Sequence, residues 1–305
     1  MTKSVIGNDA EAEHDVNWAR TVLEETCAAV GLNPTGAELI KFTNNAVFAL
    51  QQAPVVVRIP GSSAVGNRVS KVISVARWLA EHDMPSVRLI EELPEPLSLG
   101  DHSITFWHRV IEPQHAAPPN GHDLGRILHR YHALPAADLP TWQPLTAIRQ
   151  RIAEENVLTS AEHQFLLDIC DDVEDALAHV DYRLPIGPIH ADGFVGNLIA
   201  GPRGAVICDF DSASYGPREW DLTPVAVGKL RFAYGTDHHS QLVAEYGTDV
   251  MDWPDFPVLR RVRELQLVTS VLPVLHANPS LTDQWRYRFT TFRDNDSAAI
   301  WTPYR

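Results

Sequence analysis

The sequence predicts an α+β protein made of two lobes, a small one built on an antiparallel sheet and a larger, mainly helical one. Strand-like runs dominate the first 112 residues, and apolar residues at helical spacing dominate after residue 120. Between them lies a short proline-rich stretch, residues 112–119, that has no hydrophobic period. We therefore predict an N-terminal lobe at 1–112 and a C-terminal lobe at 113–305.

The N-terminal lobe should begin with a helix, because apolar residues recur at helical spacing from Asp15 onward. Gly31, which is free to adopt a positive φ, should end it. Alternating and β-branched runs then predict strands at 39–42, 46–50 and 55–59, with a turn at 43–45.

A second helix is predicted at 67–82, where apolar residues again share one face and Pro85 stops the pattern. Two more strands should follow, at 87–93 and 103–111, joined by a turn at 94–100 that contains proline and glycine.

Helices should make up most of the C-terminal lobe. The apolar spacing predicts one at 122–134, and Thr159 with Glu162 forms a capping-box pattern that should open another, running to about His179. Two more are expected at 254–277, divided or kinked by Pro273, and at 279–292.

Composition narrows the possible functions. With 305 residues, 45% of them hydrophobic, the chain can form a folded core in each lobe. Its net charge of −14 excludes nucleic acid and anionic membrane as partners, and it either serves solubility or suits a cationic substrate. Three widely spaced cysteines, Cys27, Cys170 and Cys208, and an N-terminus without a leader pattern predict a reduced, cytoplasmic protein.

Polar residues with metal-binding chemistry interrupt the helical half. Short strands at 197–200 and 205–208 should form a hairpin, with Asp192, Asn197, Asp209 and Asp211 at its outer ends. Clustered carboxylates repel one another unless a cation compensates them, and carboxylate and amide oxygens suit Mg²⁺. Phosphoryl transfer needs such a metal and a carboxylate near the accepting hydroxyl.

The segments HADGFVGN, which begins at His190, and ICDFD, which contains Asp209, resemble the catalytic loop and metal segment of aminoglycoside phosphotransferase-like kinases. GPREWDL, which contains Asp221, is similar to another segment of that family. The helices predicted at 67–82 and 122–134 also resemble family elements, so the resemblance spans about residues 35–295. It implies a two-lobed protein-kinase-like fold.

The resemblance also implies roles for individual residues. Asp192 would orient the acceptor hydroxyl and take its proton, Asn197 and Asp209 would hold Mg²⁺, and His190 and Asp221 would support the catalytic loop. The implied function is an ATP- or GTP-dependent phosphotransferase. Its acceptor would be a hydroxyl of a small, amine-bearing molecule of the aminoglycoside or amino-sugar type, which would connect it with antibiotic resistance or with metabolism.

The nucleotide site departs from the family pattern. Arg58 stands where the family has lysine, and no acid lies between Gly61 and Glu81 to pair with it, so we expect Arg58 to be mobile until a phosphate binds. Residues 43–45 replace a glycine-rich loop, and the hinge strand at 107–111 should offer backbone groups to adenine. The expected nucleotide contacts are Arg58, Asn44, Asn45, His108 and Val110.

Several alternatives stay open. The chain could be a pseudokinase or a ligand-binding protein with the same fold, or it could hydrolyse phosphate with a metal. His129 and His132 share a helical face and could bind a metal, whereas His238 and His239 should lie in a polar loop.

The remaining polar residues also have competing interpretations. Asp211 has no assigned role. Glu264 could contact a substrate ammonium group or could pair with an arginine one helical turn away. Arg260, Arg261 and Arg263 should form a solvated helix face.

Overall fold

A computed structural model of the chain describes residues 16–42, 45–61, 68–135, 138–276 and 278–304. The α+β class is confirmed: strands concentrate in the first part of the chain and helices in the second. The chain divides into two compact units. One comprises Met1–Pro118 and Ile199–Asp211, and the other comprises Pro119–Leu198 and Ser212–Arg305.

A five-stranded antiparallel sheet forms the centre of the first unit. Its strands, in sheet order, are β1 Glu38–Phe42, β2 Asn45–Ala49, β3 Val55–Pro60, β5 His102–His108 and β4 Leu97–Leu99. Along β3 the side chains alternate, so Val57 is buried between Phe48 and Phe106 while Arg58 lies on the opposite face. Arg58 is therefore directed away from this apolar core.

Two helices accompany this sheet. Helix α1, Val16–Val30, buries Val22 and Leu23 in the same core as the strands, and Gly31 follows it at φ +72° as predicted. Helix α2, Val69–Glu81, buries its apolar face, within the range predicted for it. The predicted turn at 43–45 falls partly outside the described residues.

The prediction of a strand at 87–93 is wrong. Val87 donates its N–H to the carbonyl of Ile207 at 3.0 Å, whereas Leu89 bridges to Trp107 on β5. The segment changes partner within a few residues, so no continuous ladder forms. The turn expected at 94–100 contains strand β4 instead.

The first unit also contains a segment from the second half of the chain. Strands β7, Leu198–Gly201, and β8, Gly204–Ile207, form the predicted hairpin. Ile207 donates to the carbonyl of Pro85 at 2.9 Å, and the ring of Phe210 packs 6.3 Å from that of Trp107. These contacts explain why residues 199–211 group with the first unit, which a single boundary after residue 112 does not describe.

The second unit is mainly helical, as predicted. Its helices are α3 Gly121–His132, α4 Thr146–Glu154, α5 Ser160–Leu177, α6 Glu219–Arg231, α7 His238–Tyr246, α8 Phe256–Thr269, α9 Leu272–Leu275 and α10 Thr282–Arg293. A two-stranded antiparallel pair, β6 Ile186–Ile189 with β9 Ser214–Pro217, completes it. The capping box of Thr159 and Glu162 is confirmed at the start of α5.

Three of these helices, α4, α6 and α7, were not predicted. The expectation of a polar loop at His238 and His239 is wrong, because both residues open α7, where Asp237 caps the helix by accepting from the N–H of Ser240. Helix α7 packs closely on α3 at Gly121, where a Cβ would stand 2.0 Å from the carbonyl oxygen of His238. Only glycine allows this approach.

Across the described ranges, no helix combines the length and the apolar character that crossing a membrane would require.

Candidate active site

The loop that follows β6 is held by the buried carboxylate of Asp221, which lies on the first turn of α6. Its Oδ2 accepts from the backbone N–H of His190 and its Oδ1 from that of Ala191, both at 2.7 Å. Ala191 has a φ of +64°, an unfavourable conformation for a residue with a Cβ. The two hydrogen bonds thus fix a strained backbone immediately before Asp192.

Two further side chains, His132 and Tyr246, hold Asp221 in place. His132 Nε2 lies 3.0 Å from Asp221 Oδ2, and His132 Nδ1 lies 2.8 Å from the hydroxyl of Tyr246. Because a carboxylate only accepts, Nε2 donates to Asp221, while Nδ1 is held by the Tyr246 hydroxyl. His132 therefore positions Asp221, which is a different task from the metal binding considered for His129 and His132.

The Asp192 side chain, about one-third exposed, has two described partners. Asn197 Nδ2 donates to Asp192 Oδ2 at 3.2 Å and to the Asp192 carbonyl at 2.9 Å. Arg263 Nη1, from α8, donates to Asp192 Oδ1 at 3.2 Å. The carboxylate is thus oriented from two sides, and the Asn197 nitrogen is used within the loop, so its oxygen is the atom suited to a cation.

Asp209 and Asp211 belong to the first unit, and each meets a basic side chain there. Asp209 has a φ of +68° and accepts from Lys41 Nζ at 3.3 Å. Asp211 pairs with Arg58. Within the described part of the chain no three His, Cys, Asp or Glu side chains form a metal-ligating group. Within the first unit, Asp209 and Asp211 are each compensated by a basic side chain.

Arg58 has an acidic partner, contrary to the premise from which its mobility was expected. Its side chain is 14% exposed, and it forms an ion pair with Asp211, whose side chain is 19% exposed. Lys71 on α2 donates to the backbone carbonyl of the same Asp211 at 2.5 Å. Burial lowers the pKa of Lys71, and the charge of Asp211 opposes that shift. The helix therefore supplies a second cation where the family pattern has an acid, and the acid comes from position 211.

The other predicted nucleotide contacts are distributed along the first unit. Asn44 lies outside the described residues, and Asn45 is buried at the start of β2 opposite Pro60. The N–H of His108 already donates to the carbonyl of Arg88 at 2.8 Å, so it is not available to adenine. Val110 lies two residues beyond the end of β5 and is partly exposed.

Glu264 is buried between two arginines of the second unit. Its Oε1 accepts from Arg231 Nε at 2.7 Å and from Arg260 Nε at 2.6 Å. This agrees with the alternative in which Glu264 pairs with an arginine one turn away, and it argues against contact with a substrate ammonium. The expected solvated arginine face is wrong, since Arg261 stacks 3.6 Å from the Phe292 ring centroid and Arg263 reaches Asp192.

A cavity of about 620 Å³ lies in the second unit, next to the loop that carries Asp192 and Asn197. Residues 194–196 of the loop form one side, and Arg263 of α8 contributes to its wall. Aromatic rings of Phe232, Tyr234 and Tyr304 line it as well. Its volume suits a small organic molecule, and its position makes it the candidate acceptor site.

Three basic residues at these sites were missed from the sequence: Lys41, Lys71 and Arg263. Lys41 and Lys71 lie on a predicted strand and a predicted helix without any motif. Arg263 lies 71 residues from its partner Asp192, and its neighbours Arg260 and Arg261 make it look like part of a solvated surface. Only the fold brings these side chains to the acids.

Comparison with known proteins places this chain among phosphotransferases. The model of the phosphotransferase enzyme family, APH, matches residues 40–265. No curated protein sequence matches the chain.

Several solved structures are similar in fold. One is amicoumacin kinase in complex with AMP-PNP, Ca²⁺ and Ami (12% identity, TM-score 0.66, covering 95% of this chain and 98% of that one). Another is a choline/ethanolamine kinase family protein from Mesorhizobium loti (18% identity, TM-score 0.61, covering 94% of this chain and 95% of that one). A third is a spectinomycin phosphotransferase in complex with ADP and spectinomycin (16% identity, TM-score 0.59, covering 90% of this chain and 93% of that one). They confirm the predicted protein-kinase-like fold.

Proposed function

Because the chain belongs to the phosphotransferase enzyme family, we propose that it moves the γ-phosphoryl group of ATP or GTP to a hydroxyl of a small molecule with Asp192 as the base. The chain is a small-molecule kinase, and the residues that carry out each step are our proposal. The observation that supports it is the orientation of Asp192. Its carboxylate is fixed by Asn197 and Arg263 on a loop braced by Asp221.

Catalysis follows from that orientation. In phosphoryl transfer the transition state is loose, so the acceptor hydroxyl needs alignment first and loses its proton late. An oxygen of Asp192 would accept the hydrogen bond of that hydroxyl and then its proton. Asp192 is about one-third exposed, and its partner Arg263 lines the adjoining cavity, so an acceptor bound there would lie near this carboxylate.

Mg²⁺ suits the donor atoms. Magnesium prefers oxygen ligands, and it commonly binds through one or two protein groups together with phosphate oxygens and water. The amide oxygen of Asn197 and the carboxylate of Asp209 are donors of that kind. Bound there, the ion would neutralise charge on the phosphates. Lys41 would exchange its contact with Asp209 for the phosphates, since its ammonium is half exposed.

The nucleotide phosphates would meet Arg58 and Lys71. Both are held in the first unit by Asp211, one by its carboxylate and one by its carbonyl, so the two cations are positioned together. Val110 is our candidate for adenine recognition through its backbone, because the N–H groups of His108 and Arg109 already donate to the carbonyls of Arg88 and Pro54.

The acceptor was predicted from the sequence to bear an amine. In favour of that class are the net charge of −14 and the ligands bound in two similar structures, Ami and spectinomycin. The walls of the cavity favour a different class, because Lys229, Arg263 and Arg288 line it.

Asp192→Asn tests the reaction. The variant keeps the shape of the side chain but cannot take a proton, so kcat should fall by roughly 10²- to 10⁴-fold with little change in the KM of the acceptor. Transfer from ATP and from GTP would be followed by mass spectrometry across a panel of hydroxylated compounds. Asp283→Asn, on the first turn of α10, is the matched control and should retain wild-type activity.

The alternative of a pseudokinase predicts a different outcome. A wild type that binds Mg²⁺–nucleotide yet phosphorylates no compound would favour a binding protein. An active wild type whose Asp192→Asn form keeps most of its kcat would remove Asp192 as the base.

A further inference from the structure

The cavity beside the catalytic loop has a positively charged wall. Arg263, Lys229 and Arg288 line it, whereas Asp237 is its single carboxylate among the described lining residues. Burial lowers the pKa of His239, another lining residue, which therefore favours its neutral form. These side chains suit a negatively charged acceptor, whereas an amine would be positively charged.

Asp237 is already engaged by its neighbours. Its Oδ2 accepts from Lys229 Nζ at 2.7 Å and from the Ser240 hydroxyl at 2.8 Å, and its Oδ1 accepts from the Ser240 N–H at 3.0 Å. These hydrogen bonds hold the pKa of Asp237 well below its usual range. An incoming ammonium group would have to displace Lys229 to reach this carboxylate.

Arg288 contributes a buried positive charge. Its guanidinium donates to the carbonyls of Leu267 and Thr302 and lies 3.7 Å from the ring centroid of Tyr304. Its described partners are dipoles and rings, which stabilise a buried cation less than a carboxylate does. An anion in the cavity would benefit from this field.

Arg263 offers the binding geometry. Its described hydrogen bonds to Asp192 and to Gln266 both leave from Nη1. The edge formed by Nε and Nη2 makes no hydrogen bond to another described residue, although Arg263 forms part of the cavity wall. That edge is the one that binds a carboxylate with two parallel hydrogen bonds.

We propose, resting on the kinase function above, that the acceptor is a small hydroxylated molecule carrying a carboxylate or a similar oxyanion, bound by the Nε–Nη2 edge of Arg263. The same guanidinium contacts the base Asp192 through Nη1, so it would connect the acceptor's anion with the residue that receives the hydroxyl proton. Phe194, Phe232 and Tyr234 cover the apolar body of the molecule. The oxyanion itself does not react, and the hydroxyl proton passes to Asp192.

A matched set of benzyl alcohols tests the charge preference. The probes are 4-(hydroxymethyl)benzoate, its primary amide and 4-(aminomethyl)benzyl alcohol, with 4-(hydroxymethyl)phenyl phosphate to separate carboxylate from phosphate. Binding to the full chain would be measured by ligand-observed NMR and calorimetry, which require no turnover. The anions should bind roughly 10- to 100-fold more tightly than the amide, as expected for a charge-assisted pair, and the amine no better than the amide.

Variants of Arg263 test whether this residue binds the anion. Arg263→Gln should abolish the preference for the anions, while Arg263→Lys should retain part of it because the charge remains and the two parallel bonds do not. Arg293→Gln is the matched control, since Arg293 is exposed and pairs with Asp294. Thermal melts of each variant confirm that it is folded.

Other outcomes overturn the proposal. Tighter binding of the amine, binding of the anions that is unchanged in Arg263→Gln, or failure of both anions to bind at millimolar concentration would each exclude it. The reaction itself is judged separately. If the anions bind through Arg263 but no member of any charge class is phosphorylated, the kinase function fails and the anion site stands. If only the amine is phosphorylated, the kinase function stands and the proposed anion site fails.

Discussion

The ion pair between Arg58 and Asp211 should stabilise the first unit measurably. The two side chains are 14% and 19% exposed, so little water screens them. A hydrogen bond to a charged group in such a setting contributes about 1.5–3 kcal/mol. A double-mutant cycle with Arg58→Met, Asp211→Asn and both changes together should give a coupling energy in that range. Lys71 contacts the carbonyl of Asp211 and is retained in every variant.

The neighbouring pair of Lys41 and Asp209 is the matched control. Its atoms are 3.3 Å apart, but the side chains are 50% and 30% exposed, so solvent should reduce the coupling to about 0.2–1 kcal/mol. The control cycle combines Lys41→Met with Asp209→Asn, in the same way as the first cycle combines Arg58→Met with Asp211→Asn.

Equilibrium unfolding in urea, followed by tryptophan fluorescence, measures both cycles. Trp107 packs against Phe210 beside this segment and should report its unfolding. Unchanged m-values would show that the unfolding transition is the same in each variant. A coupling below about 0.5 kcal/mol for Arg58 and Asp211, or equal couplings in the two cycles, would refute the argument from burial.

Three further outcomes are expected. Asp221→Ala leaves two buried N–H groups without an acceptor and should lower the free energy of unfolding by about 3–5 kcal/mol in urea titrations, whereas Asp283→Ala on α10 should change it by less than about 0.5 kcal/mol. Burial lowers the pKa of His239 below its usual 6.5, despite the nearby Asp249, so the unfolded state binds more protons below that pH. Stability should therefore fall as the pH drops from 7 to 5, and His239→Gln should remove part of the slope; an identical slope in both proteins would contradict this. Burial also raises the pKa of the thiols of Cys27, Cys170 and Cys208 to about 11, so alkylation by iodoacetamide at pH 8, measured by mass spectrometry, should be on the order of a hundredfold slower than in the urea-unfolded chain.

Helices with one apolar face or a recognisable cap could be predicted from the sequence. The capping box of Thr159 and Glu162 is an example, because its signal lies within four consecutive residues. Helix α6 could not be predicted, since residues on every side of it are buried and Pro224 lies inside it, so it shows no helical period. Its Asp221 was nevertheless assigned to support the loop, because that expectation came from the family motif.

The candidate site was predictable only where its residues are close in sequence. Asp192 and Asn197 are five residues apart, and their contact follows from the loop. The partners of Asp192 and Arg58 are different, because Arg263 and Asp211 reach them across 71 and 153 residues. No local pattern encodes such a pairing, so the compensation of each acid by a base emerged only from the folded chain.

The hairpin of β7 and β8 has a consequence for how the protein is made. It belongs to the first unit, where Ile207 bonds to Pro85 and Phe210 packs on Trp107, although some 80 residues of the other unit precede it in the chain. During synthesis, the ribosome releases the residues of the sheet long before it releases this hairpin. The first unit therefore cannot complete its packing, including that of Phe210 on Trp107, until residue 211 has emerged. The helices α3 to α5 can form before then.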